Sequence, residues 1–114
     1  MELILKATMF LTVIFADIES DGSFNYLFQR KSGMAGSEYM IAHSYPSDMK
    51  LKPGDTFYAK IDGKCASAFA LDPVPEAMQD ALPFGAPRDA YVCNADSISI
   101  KGIEYKSLIR SRHE

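Results

Sequence analysis

From Leu3 to Ile18 the chain is apolar on both alternating sets of positions, rich in Leu, Ile, Val, Phe and Thr, with no Gly or Pro to interrupt it. Such a run reads as a strand covered on both faces. Its length predicts a first strand that bends, as in small closed barrels. Ser20-Asp21-Gly22-Ser23 is a turn signal, and Phe24 to Arg30 then alternates with period two, so these first two strands are expected to pair as a hairpin.

Ser32 to Ser37, with Gly33 and Gly36, reads as a flexible loop, and Glu38 to His43 as a short third strand. In Lys50-Leu51-Lys52-Pro53-Gly54-Asp55 proline presets φ and glycine takes the position that needs positive φ, which predicts a turn. Thr56 to Ile61, the pair Asp62-Gly63 and Lys64 to Leu71 then read as a second hairpin. Four prolines bracket Glu76 to Leu82 between Asp72 and Pro87. Pro75 suits a first helical turn, Ala77, Met78, Ala81 and Leu82 share a face, and Pro83 stops it, so one short helix is predicted. Arg88 to Asn94, Ser97 to Lys101 and Ile103 to Ile109 complete the chain as strands, with Gly102 marking a bulge or sharp bend. The pattern as a whole predicts one all-β, mainly antiparallel barrel or sandwich with a single short helix. In element order alone it resembles the OB-fold, a small closed barrel with a helix between its third and fourth strands. That resemblance implies an architecture and leaves function open.

The length of 114 residues predicts one domain over residues 1–114, and an apolar fraction of 47% beside a charged fraction of 24% is that of a soluble globular protein. A net charge of −3 argues against non-specific duplex DNA binding, which needs a strongly basic field. The stretch from Lys101 onward is locally basic through Lys101, Lys106, Arg110 and Arg112. The apolar N-terminal run reads neither as a leader, since Glu2 is acidic where positive charge is wanted, nor as a membrane span, since Lys6, Thr8 and Thr12 interrupt it. Cys65 and Cys93 are too few and too far apart for a disulfide scaffold, so two buried free thiols, a reducing compartment and a cytoplasmic location are expected.

Candidate chemistry is sparse. The potential metal ligands His43, Cys65, Cys93 and His113 have no short ligand spacing, and neither metal nor cofactor is expected. His43 and Ser44 are strand neighbours whose side chains point to opposite faces, so they cannot form a base–nucleophile pair. Gly33-Met34-Ala35-Gly36-Ser37 lacks the Gly-Lys-[Ser/Thr] ending of a phosphate loop.

Three functional classes follow. The first is a non-catalytic module that binds a protein partner or a second copy of itself, with Met78, Leu82 and Phe84 of the helical segment and Tyr58 as contact residues. The second is an OB-like binder of single-stranded nucleic acid. Phe24, Tyr26 and Phe28 share one strand face as stacking platforms, unless that face is core, and Arg30, Lys31, Lys60, Lys106 and Arg110 supply charge. The third is a small enzyme whose site the sequence does not reveal.

Overall fold

The computed structural model of the chain describes residues 3–31, 37–67 and 91–108. Among the described residues, six strands form one sheet: β1 (Leu3–Ile18), β2 (Phe24–Lys31), β3 (Ser37–Tyr45), β4 (Thr56–Ser67), β5 (Tyr91–Ile100) and β6 (Ile103–Lys106). Their order is β3-β2-β1-β4-β5-β6, and a further β3–β5 pairing closes the first five into a barrel with β6 as an extra strand. The closing pair is parallel, Tyr39, Met40 and Ile41 lying beside Val92, Cys93 and Asn94, while the other pairings are antiparallel. The barrel is therefore mixed, as the sequence pattern did not foresee. Among the described residues, no helix is long and apolar enough to cross a membrane.

β1 spans its predicted range and bends as expected. Its first half pairs with β4 from Leu3↔Cys65 to Thr12↔Thr56, and its second half with β2 from Thr12↔Gln29 to Ile18↔Phe24. The change of partner falls at Val13, whose N–H donates to the Asp55 carbonyl (2.9 Å) and whose carbonyl accepts from the Gly54 N–H (2.7 Å). Ile14 is then the extra residue of a bulge against β2, which bends the strand. The Pro53-Gly54 turn is as predicted, with Gly54 at φ 94° and the Asp55 N–H donating to the Lys52 carbonyl. The Ser20–Ser23 turn also forms, and there the Asp21 carboxylate accepts from both the Ser23 N–H and its hydroxyl.

Two local expectations fail. Asp62-Gly63 is not a hairpin turn, because β4 runs through it unbroken. A bulge at Asp96 of β5 faces this step, and a Cβ on Gly63 would collide with the Asn94 carbonyl oxygen. Glycine is there for close backbone approach, and β5 likewise joins what the pattern divided into two strands. The tight turn lies instead at Lys101-Gly102, both at positive φ (52° and 82°), which joins β5 to β6. The helix predicted over Glu76–Leu82 lies outside the described residues; between β3 and β4 there is a 3-10 turn, Ser47–Met49, whose Met49 is buried in the core.

Inside the barrel, Met9, Leu11 and Val13 of β1 pack with Tyr26, Phe28, Met40, Ala42, Tyr45, Ala59, Ile61, Ala95 and Ile98. The rings of Phe24, Tyr26 and Phe28 stack along β2 at successive centroid distances of 5.8 Å, and Phe57 meets Phe28 edge-on at 5.4 Å. Tyr45 donates its hydroxyl to the Ala95 carbonyl (2.9 Å) across the barrel. The Tyr26 hydroxyl is buried near the Leu51 backbone, with no well-formed hydrogen bond to it among the described residues. At the bulge around Ser44 (φ 57°), the Asn25 amide replaces a ladder bond: Oδ1 accepts from the Ser44 N–H (2.9 Å) and Nδ2 donates to Glu19 (2.7 Å).

The cysteines correct another expectation. Cys93 is disulfide-bonded, and Cys65, the one other cysteine of the sequence, is its Cα partner across the β4–β5 ladder. Their separation in sequence hid a juxtaposition that arises once the two strands pair.

Gly63→Ala should destabilise the fold by about 2 kcal/mol, since the added Cβ meets backbone that cannot move aside. Tyr26→Phe removes a buried hydroxyl that lacks a well-formed hydrogen bond among the described residues and should leave stability unchanged or raise it by up to about 1 kcal/mol; urea denaturation of both variants checks this pair. Burial, reinforced by Asp96, raises the Tyr45 phenol far above its ordinary value of 10.0. Burial also raises Tyr26, partly offset by the nearby Leu51 backbone. A raised folded-state pKa contributes stability that is complete below the unfolded value and is lost as pH climbs past it. Urea midpoints measured across the alkaline range should therefore hold steady to about pH 9.5 and fall beyond about pH 10.

Candidate functional site

The alternation that buries one set of β1 and β4 side chains presents the other set outward. On β1 these are Ile4, Lys6, Thr8 and Phe10; their partners on β4 are Lys64, Asp62, Lys60 and Tyr58. The rows continue across β5 and β6, where Lys60 is beside Ser99 and then Glu104, and Asp62 beside Ser97 and then Lys106. Side chains two apart along a strand stand roughly 7 Å from one another, and neighbouring strands about 4.8 Å, so these rows form one continuous outer face.

Phe10 and Tyr58 sit at one end of the face with their ring centroids 4.9 Å apart and planes tilted by 56°. Both are exposed, at 47% and 70%, where large rings would ordinarily be buried. Lys60 is exposed next to them, and Lys6, Lys64 and Lys106 are exposed further along the same face. The Ser97 hydroxyl is 3.4 Å from the Asp62 carboxylate, and Lys106 pairs with Glu104 at 3.7 Å in solvent. Four lysines against two carboxylates give this face a positive balance in a chain whose net charge is −3. Adjacent rings with ammonium groups along the same strands can stack on planar groups and hold anions, without a nucleophile or base being involved.

Of the residues singled out from the sequence, the structure brings Tyr58, Lys60 and Lys106 to this face. It does not bring the predicted stacking platforms there. Tyr26 and Phe28 are fully buried and Phe24 is half-buried against the core, because those rings fill the barrel. Nor is the exterior of β2–β3 free at its centre: Leu27 and Ile41, on the opposite side from Phe28 and Met40, are 0% and 2% exposed. Arg30 is half-buried toward the end of β2, in register with Glu38. The side chain of Lys31, and Met78, Leu82, Phe84 and Arg110 entirely, lie outside what the structure describes.

Phe10, Lys6 and Lys64 were not singled out. The polar residues Lys6 and Thr8, two apart from Phe10 in an otherwise apolar run, were the available signal that this side of β1 faces water.

His43 and Ser44 do not act together. The His43 imidazole lies 3.9 Å from Glu19, while the Ser44 N–H is held by Asn25, so this polar group supports the β3 bulge.

Because Phe10 and Tyr58 contribute outside the core, Phe10→Ala and Tyr58→Ala should each change the unfolding free energy by no more than about 0.5 kcal/mol. Thermal and urea denaturation of the two variants measures this; a large loss would assign the rings to the fold. No protein-family model matches the chain, and neither a curated protein nor a solved structure shows a match to it.

Proposed function

We propose that this is a non-catalytic OB-type binding module that holds single-stranded nucleic acid on the outer face of β1, β4, β5 and β6. The observation that carries the reading is the exposed Phe10–Tyr58 ring pair flanked by Lys6, Lys60 and Lys64. A single strand offers unpaired bases whose faces stack on aromatic rings, together with a line of phosphates that lysines follow. The strand pairing supports the OB comparison. β1-β2-β3 is a meander, β4 and β5 follow on the other side of β1, and β3 meets β5 in parallel, with Met49 filling the core between β3 and β4.

A second reading, a protein partner, is favoured by the same rings seen differently. An exposed aromatic centre inside a polar rim is the anatomy of a protein–protein contact, and the acidic net charge is no obstacle to it. The two readings part on salt and on bases.

Fluorescence anisotropy of a labelled oligo(dT), titrated at several salt concentrations, tests the proposal. Binding that engages four phosphates should weaken with a log–log salt slope of about −2.8. Tyr58→Ala or Phe10→Ala should lower affinity about 5- to 150-fold with the slope unchanged. Lys60→Gln should reduce the slope by about 0.7. Absence of binding at low salt, or wild-type affinity in both ring variants, overturns the nucleic-acid reading and leaves the protein partner.

A further inference from the structure

We infer that the Cys65–Cys93 cystine is the clasp that keeps the barrel shut, and that the chain acquires it by exchange with a disulfide-bearing oxidant as β4 and β5 pair. The inference is independent of the ligand proposed above.

β4 and β5 are antiparallel neighbours that lie far apart in sequence. β4 ends at Ser67, β5 begins at Tyr91, and residues 68–90 intervene. An antiparallel ladder between segments so far apart in sequence bears the entropy of bringing them together. Among the described residues the ladder runs out to Ala66↔Val92 and Ser67↔Tyr91, and the next pair inward is Cys65↔Cys93. A covalent bond at this position offsets that entropy by holding the two strands in register.

The same end of β5 also closes the barrel. Val92, Cys93 and Asn94 meet Tyr39, Met40 and Ile41 of β3, so among the described residues the seam consists of three residue pairs with Cys93 at its centre. Cys93 is 5% exposed and packs in the core cluster. Further along, Ser107 spans the gap, its N–H donating to the Asp96 carbonyl (3.1 Å) and its hydroxyl to the His43 carbonyl (2.6 Å). Fraying of β4–β5 at the cysteines would pull β5 away from β3 and open this short seam.

Bond formation converts two thiols to one sulfur–sulfur bond, releasing two protons and two electrons, and the donor's disulfide accepts them as it is cleaved to two thiols. Once Cys93 is buried in the closed barrel, reductant has poor access to it.

The test uses the full chain refolded with oxidised glutathione. Intact mass should be lower by two hydrogens than that of the fully reduced chain, with no thiol available to a maleimide. Reduction with a phosphine should lower the melting temperature by about 15 °C. By hydrogen exchange, it should deprotect residues 39–41 and 92–94 more than the β1–β2 pairing. The double variant Cys65→Ala/Cys93→Ala should melt near the reduced wild type and be insensitive to phosphine; if it fails to fold, the wild-type comparison decides alone. Free thiols in the folded, glutathione-treated protein, or reduction without effect on melting and on exchange at the seam, would overturn the inference.

Discussion

One strand serving two partners is the constraint on which the barrel rests. β1 lies against β4 for its first half and against β2 for its second, and it can do so because it turns at Val13 and Ile14. At that corner the Val13 backbone is taken up on both sides by Gly54 and Asp55, so its N–H and carbonyl are both paired where the ladders change over. The Pro53-Gly54 turn is thus more than a connection into β4; it supplies the partners that make the bend cost little. From the bend follows the arrangement of the other strands, with β2–β3 wrapping to one side and β4–β5 to the other until β3 and β5 meet.

Where they meet, the pairing is short and parallel, and bulges on both sides adapt the strands to it. Ser44 on β3 and Asp96 on β5 are each an extra residue, and each has its backbone tied to something other than the regular ladder, Ser44 to Asn25 and Asp96 to Ser107. A buried polar side chain such as Asn25 is therefore required by backbone accounting. The cystine acts at the same seam through covalent linkage; by the chain-entropy account a bond closing a loop of this length stabilises by about 3–4 kcal/mol, a large part of the stability of a domain this small.

Burial and exposure sort the aromatic residues by a rule that residue type does not reveal. Tyr26 and Phe28 alternate inward on β2 and fill the barrel, while Phe10 and Tyr58 alternate outward on adjacent strands and meet on the surface. Inward-facing rings need only volume to fill. Outward-facing rings, adjacent and on a face that carries lysines, have no role in folding that burial would explain, and the proposal of a contact surface rests on that difference.

By itself the sequence determined the strand-rich class, the extent of β1, the first hairpin and the Pro53-Gly54 turn, because each depends on local periodicity or on the φ preferences of proline and glycine. It did not determine what Gly63 is for, since a glycine after an aspartate serves a tight turn and a close strand crossing equally well, and only the Asn94 carbonyl beside it distinguishes them. Nor did it show that Cys65 and Cys93 are opposite one another, that β3 closes on β5 in parallel, or that Phe10, Tyr58, Lys60 and Lys106 share a face. Those relations are set by register between strands distant in sequence. A register shift of one residue exchanges every inward side chain for an outward one, so the face became definite only when the tertiary pairings were formed.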